Sequence, residues 1–441
     1  MNSREIRIIG AGLAGSEVAL QLAKKGWKID LYEMRPQKMT PAHQTALLAE
    51  LVCSNSLKSE LITTASGLLK EELKLFDCEL LKIADQTRLP AGSALAVDRN
   101  LFAEGVTEKI KQNPNIRLHN REVTTLDKSL TVVASGPLTS DDLVVSLKHF
   151  LDGDNLYFYD AIAPIVSYES INREVVYLKG RYDKGGADYL NCPFSKDEYE
   201  VFVQALQESE KYIGKAFERE YFKELSGNQK INFYENCIPI EELARRGKDT
   251  LRFGVMRPVG LENPVTGKRP YAAIQLRAEN KESTAFNLVG CQTMMTQSSQ
   301  RKVFRLIPGL ERAEFLRYGS IHRNTYLNAP AVLNKNLSLK NKKNIFVAGQ
   351  LSGIEGYVES IASGLLVALI IAEGLTDLPE ASIMGQLWRR LTGGTGGLFV
   401  PVNANFGLLP SLSDPIKDKK LRYKLLAERS LEALITYLND Q

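Results

Sequence analysis

The spacing of apolar residues near the N terminus changes from a short strand-like run to helical spacing and then to a second strand-like segment, in the order typical of a strand–helix–strand unit. The apolar run from Ile6 to Ile9 predicts a strand. Residues at helical spacing then predict a helix that ends at Gly26, and they are Leu13, Val18, Ala19, Leu22 and Ala23. The segment KIDLYE predicts a second strand, which ends at Glu33.

Two later segments repeat the pattern of a strand followed by small residues. The run Ile345–Ala348 predicts a strand that leads into Gly349 and Gln350, and a helix with small and apolar residues starts near Gly356. The segment LTVVASGPLTS, Leu130–Ser140, predicts a strand with a small-residue turn. Because these segments lie far apart along the chain, we expect one nucleotide-binding domain that is split in sequence.

The middle of the chain has a different pattern. From about Tyr189 it is charged and mostly helical, as in SKDEYEVFVQALQESEKYIGKAFEREYFKEL, and the strand-like segment RPYAAIQLRAEN follows. We therefore predict an α/β protein with a Rossmann-like nucleotide-binding domain that is split in sequence by an inserted α+β domain. The predicted limits are residues 1–188 and 286–441 for the two parts of the nucleotide-binding domain and 189–285 for the insertion.

Composition narrows the possible classes. The 441 residues are 44% hydrophobic and 24% charged, with a net charge of +4, which is an ordinary globular balance and no global signal for nucleic acid. The five cysteines are scattered without a CxxC pair, which argues against a disulfide framework and a zinc site. The apolar segment IASGLLVALIIAEGL is too short to span a bilayer, and no targeting segment is apparent. We expect a soluble cytoplasmic protein without a metal; nothing indicates an oligomeric state.

The sequence GAGLAG at residues 10–15 places glycines between the first strand and the first helix. Glycines permit a tight turn and let backbone N–H groups approach a pyrophosphate at the helix N terminus. Glu33 lies eighteen residues beyond Gly15 and can accept hydrogen bonds from a ribose 2′-hydroxyl. This unit does not distinguish NAD from FAD.

The two later strand-and-turn segments together favour FAD, so we predict that the split domain, residues 1–188 and 286–441, is a Rossmann-like FAD-binding domain. Flavoproteins with this architecture carry a strand–Gly–polar element late in the chain; many have Asp where this chain has Gln350. The candidate cofactor-binding residues are Gly10, Ala11, Gly12, Leu13, Ala14, Gly15, Glu33, Gly349, Gln350 and Gly356.

Cations are concentrated after Cys237, which lies just before Pro239. They could bind a phosphate backbone and lower the pKa of a nearby thiol. The candidate RNA-binding residues are Arg245, Arg246, Lys248, Arg252, Arg257, Lys268, Arg269 and Arg277.

The motifs of the whole chain resemble those of the folate- and FAD-dependent tRNA (uracil-5-)-methyltransferase family. They include GAGLAGSE, LYEMRP, TPAHQT, ELVCSNSLKS, PAGSALAVDR, ASGPLTS, RGKDTLRFGVMRPVGL and VAGQLSGIEGYVESIASG. The resemblance implies a flavoenzyme that forms 5-methyluridine at position 54 of the tRNA T-loop. It implies 5,10-methylenetetrahydrofolate as carbon donor and NAD(P)H as reductant, and it places the two functional cysteines at Cys53 and Cys237.

Uracil C5 becomes nucleophilic only after a group adds to C6, so methylation requires an activated nucleophile and a base that removes the C5 proton. We expect Cys237 to attack C6 because cations follow it. Cys53 would act beside the flavin, as the base or as a thiol that guards the carried methylene; the opposite division of roles stays open. His43 is a possible proton carrier or a structural histidine. The other cysteines, Cys78, Cys192 and Cys291, fall outside the family's cysteine motifs.

Other functions remain open from the sequence. The same chemistry could act on a uridine of ribosomal RNA, because uracil and phosphates look alike locally. The chain could instead be a flavin NAD(P)H oxidoreductase without methyl transfer, or a flavin-binding RNA module without catalysis. Both of these would leave Cys53 and Cys237 without a role.

Overall fold

The computed structural model describes residues 4–151, 156–183, 188–212, 238–393, 399 and 401–440. In these residues the strands are β1 (Glu5–Ile9), β2 (Lys28–Glu33), β3 (Ser56–Ser59), β4 (Arg88–Leu89), β5 (Ala94–Val97), β6 (Ile116–Asn120), β7 (Thr131–Val133), β8 (Leu156–Ile162), β9 (Ile165–Ser167), β10 (Tyr177–Leu178), β11 (Tyr189–Phe194), β12 (Ala272–Ala278), β13 (Ala285–Leu288), β14 (Phe315–Arg317), β15 (Ser320–Tyr326), β16 (Ser338–Leu339) and β17 (Lys342–Val347).

The α-helices of the same residues are α1 (Leu13–Lys24), α2 (Ala65–Leu75), α3 (Glu79–Gln86), α4 (Arg99–Lys111), α5 (Asp141–Lys148), α6 (Lys196–Glu208), α7 (Ile240–Arg245), α8 (Thr250–Phe253), α9 (Gln297–Phe304), α10 (Ala329–Val332), α11 (Tyr357–Glu373), α12 (Ile383–Thr392) and α13 (Lys419–Asn439).

The predicted strand–helix–strand unit forms the centre of the first sheet. The sheet has the order β16-β17-β7-β1-β2-β6, and its strands are parallel except for β16, which runs antiparallel to β17. Ile8 pairs with Leu31 on one side and Val132 on the other, and all three are fully buried. Central parallel strands are covered on both faces, which explains why the apolar residues at the centre of these strands are buried. The predicted Rossmann-like α/β class is confirmed.

Helices α1 and α11 pack closely, and a glycine permits the contact. A Cβ added at Gly364 would lie 2.4 Å from the carbonyl oxygen of Ala14. Helix α11 is buried along most of its length, so its apolar sequence belongs to the protein core. Of the helices that the structure describes, none is long and apolar enough to cross a membrane; the cytoplasmic location stays a prediction.

A second, antiparallel sheet has the order β10-β11-β12-β13-β9-β14 and its own apolar core. Helix α6 packs on this core with Tyr199 and Phe202, and Ser195 begins it with a capping box, as its side chain accepts from Glu198 N–H. The remainder of the predicted helical segment, from residue 213, lies outside the described residues. The sheet extends from Ile165 to Arg317; the limits 189 and 285 remain a prediction of the domain boundaries.

Candidate active site

A cleft lies at the carboxyl ends of the central strands of the first sheet. Its empty volume is about 1050 Å³, including space open to solvent. From β1 the chain continues to β2 on one side, while β7 pairs with β1 on the other. In open α/β sheets, dinucleotides bind at such a change of direction.

The glycine turn after β1 forms one wall of the cleft. Gly10 has a φ of +97°, a left-handed conformation that favours glycine. A Cβ at Gly15 would lie 1.9 Å from the carbonyl oxygen of Gly10, so this residue permits α1 to approach the strand. Gly12 lines the cleft, and nothing lies within 4 Å of the position that its Cβ would occupy. The turn therefore leaves room for a ligand against the backbone at the N terminus of α1.

The predicted cofactor residues come together at this cleft. Those that line it are Gly10, Gly12, Leu13, Ala14, Glu33, Gly349 and Gln350. Ala11 is fully buried, and its N–H donates to Glu33 Oε2 over 3.1 Å. Gly15 and Gly356 do not line the cleft; Gly356 precedes Tyr357, which does. The small-residue turn after β7 also lines it, with Ser135 and Gly136.

A buried charge network holds the Glu33 carboxylate. Its Oε1 accepts hydrogen bonds from the backbone N–H of Arg35 at 3.1 Å and from Arg35 Nε at 2.9 Å. Arg35 also pairs with Glu50 at 3.1 Å. Burial raises the pKa of Glu33, but the charge and hydrogen bonds of Arg35 outweigh it, so this pKa lies below its usual range. Glu33 is therefore an anion at neutral pH and can accept hydrogen bonds.

Gln350 is positioned by a carboxylate that the sequence patterns did not identify. Its Nε2 donates to Glu355 Oε2 over 2.5 Å. The backbone N–H of Gly349 donates to Ser363 Oγ over 3.0 Å. The late strand–Gly–polar element thus reaches the same cleft as the N-terminal glycine turn, although more than three hundred residues separate them.

Cys53 lies beside the cleft in contact with Tyr357. The Cys53 Sγ is 2.8 Å from the Tyr357 hydroxyl oxygen. That oxygen accepts the backbone N–H of Cys53 at 2.8 Å and that of Ser54 at 3.3 Å. A hydroxyl has two acceptor lone pairs and one proton, so the Tyr357 proton is left to donate to sulfur. Burial raises the pKa of Tyr357 well above its ordinary value, and the hydroxyl stays protonated.

The Arg99 guanidinium holds the backbone that precedes Cys53. Arg99 Nη1 donates to the carbonyl oxygen of Leu51 at 2.5 Å and more weakly to that of Val52 at 3.3 Å. Its Nη2 pairs with Glu279 at 2.8 Å. Arg99 therefore fixes the backbone that leads into Cys53 and places positive charge near the sulfur, where a thiolate is stabilised.

We predict that Tyr357→Phe slows alkylation of Cys53 about ten-fold at a fixed pH, because a thiolate without its hydroxyl donor is less stable. The ring is retained, but the backbone N–H groups of Cys53 and Ser54 lose their acceptor, so the free energy of unfolding should fall by about 1–3 kcal/mol. Mass spectrometry of the Cys53 peptide after iodoacetamide treatment measures the rate, and Tyr423→Phe in α13 is the control. An unchanged rate would refute the donor role of Tyr357.

The other cysteines that the structure describes are buried, in contrast to Cys53. Cys78, Cys192 and Cys291 are buried, and burial raises the pKa of each thiol, so none is poised to react. Cys237 lies outside the described residues. Within the part of the chain that the structure describes, no group of His, Cys, Asp and Glu could hold a metal ion.

His43 also lines the cleft. Its Nδ1 is 2.6 Å from Thr40 Oγ1. Burial, followed by the positive charge of Arg35, lowers the pKa of His43 to about 4. The ring is therefore neutral at pH 7, which favours the structural interpretation over that of a proton carrier.

Ser54 and Asn55 connect Cys53 to the second sheet. Arg277 Nε donates to Asn55 Oδ1 and Arg277 Nη2 to Ser54 Oγ, each over 2.8 Å. Asn55 Nδ2 also donates to the carbonyl oxygen of Ala278 over 3.0 Å. Arg277 was one of the predicted RNA-binding cations; these bonds leave it only 7% exposed, so we do not include it in the RNA surface proposed below.

The other predicted cations lie in the part of the chain that forms the second sheet, its apolar core and the helices packed on it, which we call the second domain. Arg245, Lys248 and Arg269 are exposed and pair with Glu242, Glu200 and Glu262. Arg252 is half-buried, its guanidinium 4.2 Å from the Tyr271 ring centre. Exposed side chains that project from the same domain are Arg246, Arg257 and Lys268.

Comparisons with known proteins identify the family of this chain. The family model for glucose inhibited division protein A matches residues 5–379. Three similar curated proteins are each called methylenetetrahydrofolate–tRNA-(uracil-5-)-methyltransferase TrmFO. The protein from Exiguobacterium sp. is 49% identical over 99% of both chains. The protein from Natranaerobius thermophilus is 50% identical over 98% of this chain and 99% of its own. The protein from Bacillus subtilis is 48% identical over 99% of both chains.

A solved structure supports the fold independently. The Aquifex aeolicus GidA structure aligns with a TM-score of 0.67 at 16% identity, covering 99% of this chain and 76% of that one. The curated relatives, which match nearly the whole chain, confirm the resemblance identified from the motifs. This chain belongs to the methylenetetrahydrofolate–tRNA-(uracil-5-)-methyltransferase TrmFO family.

Proposed function

We propose that this protein methylates C5 of a tRNA uridine, position 54 of the T-loop, with 5,10-methylenetetrahydrofolate as carbon donor and NAD(P)H as reductant. The observation that carries this proposal is the position of Cys53, whose sulfur contacts Tyr357 beside a cleft built from the dinucleotide-binding elements. A flavin oxidoreductase without methyl transfer has no need of a thiol held in this way. The names of the related proteins support the substrate class.

The residues of the cleft fit FAD. The open backbone at Gly12 can bind a pyrophosphate, and the Glu33 carboxylate can accept hydrogen bonds from ribose hydroxyls. When bound, the flavin supplies the reducing equivalents and carries the folate methylene to the base. Gly349 and Gln350 also line the cleft and would contact the cofactor.

Cys237 and Cys53 would have different roles in the reaction at the uracil ring. The thiolate of Cys237 adds to C6, and the electron pair of the C5–C6 bond moves to C5 and the O4 enolate. After C5 has formed its new carbon–carbon bond, a base would remove the C5 proton and the Cys237 sulfur would leave C6 as a thiolate, which restores the C5–C6 double bond. A hydride equivalent that derives from NAD(P)H would replace the bond between the new carbon and its carrier, and this gives the methyl group. We assign Cys53 to that proton, with Tyr357 donating to its sulfur; the reverse assignment of the two cysteines remains the alternative.

Purified protein with T-loop RNA, 5,10-methylenetetrahydrofolate and NADPH tests the proposal. We expect a flavin absorption spectrum and 5-methyluridine in digested RNA by mass spectrometry. Mapping of RNA from a deletion strain separates tRNA from ribosomal RNA, since unchanged T-loop 5-methyluridine would exclude the tRNA assignment. NAD(P)H oxidation without any methylated RNA would instead favour a simple oxidoreductase.

A further inference from the structure

Phe253 is an apolar side chain held out into solvent on the second domain. It is 75% exposed at the end of the short helix α8. Its neighbours Leu251 and Met256 are almost completely buried, and Met256 N–H donates to the carbonyl oxygen of Leu251 over 2.8 Å. The backbone on both sides is therefore anchored in the core, and this packing fixes the outward direction of the ring.

The chain segment that carries this ring is rich in cations, although Arg245 and Lys248 pair with Glu242 and Glu200. The segment from Arg245 to Arg257 contains five cations and a single acid, Asp249. The Arg252 guanidinium is 6.0 Å from the Phe253 ring centre, and its Nε donates to the carbonyl oxygen of Tyr271 over 2.9 Å. An exposed aromatic ring among cations is the arrangement that proteins use for unpaired nucleotides, because the ring stacks on a base while the cations bind phosphates.

The length of β12 sets the distance between Phe253 and Cys53. Tyr271, which contacts Arg252, immediately precedes β12, and Arg277 and Ala278 at the other end of β12 contact Ser54 and Asn55. A strand of this length spans roughly 20 Å. A nucleotide on Phe253 is therefore separated from the uridine beside Cys53 by several nucleotides.

We propose that Phe253, with the exposed guanidinium groups of Arg246 and Arg257, binds an unpaired nucleotide of the RNA substrate away from the uridine that is methylated. The inference rests on the proposed function in that the substrate is RNA. It adds a second contact, which would set the orientation of the RNA arm and limit binding to RNAs with an accessible base at this spacing.

Binding of an unmodified, fluorescently labelled tRNA transcript to the flavin-loaded protein tests this contact. We expect Phe253→Ala to raise the Kd roughly ten-fold without changing its dependence on salt. Phe253→Tyr, which keeps the ring, should bind like the wild type. Arg257→Gln should lower the slope of log Kd against log salt by about 1. Leu421→Ala, an exposed apolar residue of α13, is the matched control.

The outcomes distinguish this inference from the proposed function. If the wild-type protein methylates tRNA and Phe253→Ala binds it as tightly as Leu421→Ala does, the inference alone is wrong. If the wild type neither binds nor methylates the transcript, both are wrong. A change from a dimer to a monomer in Phe253→Ala, with RNA affinity unchanged, would assign the ring to a contact between copies of this chain and would also overturn the inference.

Discussion

Replacing Cys53 with alanine is expected to lower the rate of 5-methyluridine formation by about 10²–10⁴-fold, the range for loss of a positioned acid or base. The substitution removes a single sulfur atom, which contacts the Tyr357 hydroxyl at 2.8 Å. Glu33, Arg35 and the glycine turn are untouched, so flavin binding and flavin reduction by NADPH should persist. Single-turnover assays with mass spectrometry of the nucleosides measure the methylation rate.

The control for this substitution is Cys291→Ala, which removes a buried sulfur from the second domain. We expect it to reduce stability slightly and to leave methylation unchanged. Methylation by Cys53→Ala at the wild-type rate would refute the assigned role. Accumulation of RNA covalently attached to Cys53→Ala would support it, because the Cys237 sulfur then leaves C6 only slowly.

Gly15→Ala is expected to yield a protein without bound flavin and with a free energy of unfolding lower by about 1–3 kcal/mol, as for other overpacked sites. The added Cβ would lie 1.9 Å from the Gly10 carbonyl oxygen and 3.3 Å from the Ala134 Cβ. Because the first obstacle is backbone, β1 and α1 must separate and the turn must open. Flavin absorbance per chain and thermal unfolding of the apoprotein measure the two effects.

Gly12→Ala is the matched control for this effect. Gly12 has a φ of −73°, which alanine adopts readily, and its Cβ would meet nothing within 4 Å. Its apoprotein should therefore be as stable as the wild type, while its flavin affinity falls because the methyl group enters the cleft. Full flavin content in Gly15→Ala would contradict the proposed role of the turn.

Local patterns predicted the nucleotide-binding unit well because its signals are short-range. The run Ile6–Ile9, the helix from Leu13 and the strand that ends at Glu33 all appear where the periodicity placed them. Strands β9 and β14 have three residues each and pair with each other across about one hundred and fifty residues of sequence. Such short strands have little periodicity, and their pairing depends on the assembled sheet.

In the candidate site too, short-range features were predictable from the sequence and long-range contacts were not. The glycines and Glu33 were predictable from their spacing, but the Cys53–Tyr357 contact joins residues 304 positions apart. The concentration of cations after Cys237 predicts Arg277 as an RNA-binding residue. In the structure it lies on the face of β12 that meets Asn55, and only the packing of the two domains determines that position.

The order of the strands in the first sheet has a consequence during synthesis. Strand β7 pairs with β17, through Thr131 with Ile345, so its second edge has no partner until residue 345 has left the ribosome. At 5–20 residues per second, that interval is about 10–40 s. The nascent N-terminal half therefore presents an open sheet edge for that time, and we expect chaperones that cover such edges to bind it most while the middle of the chain is being translated.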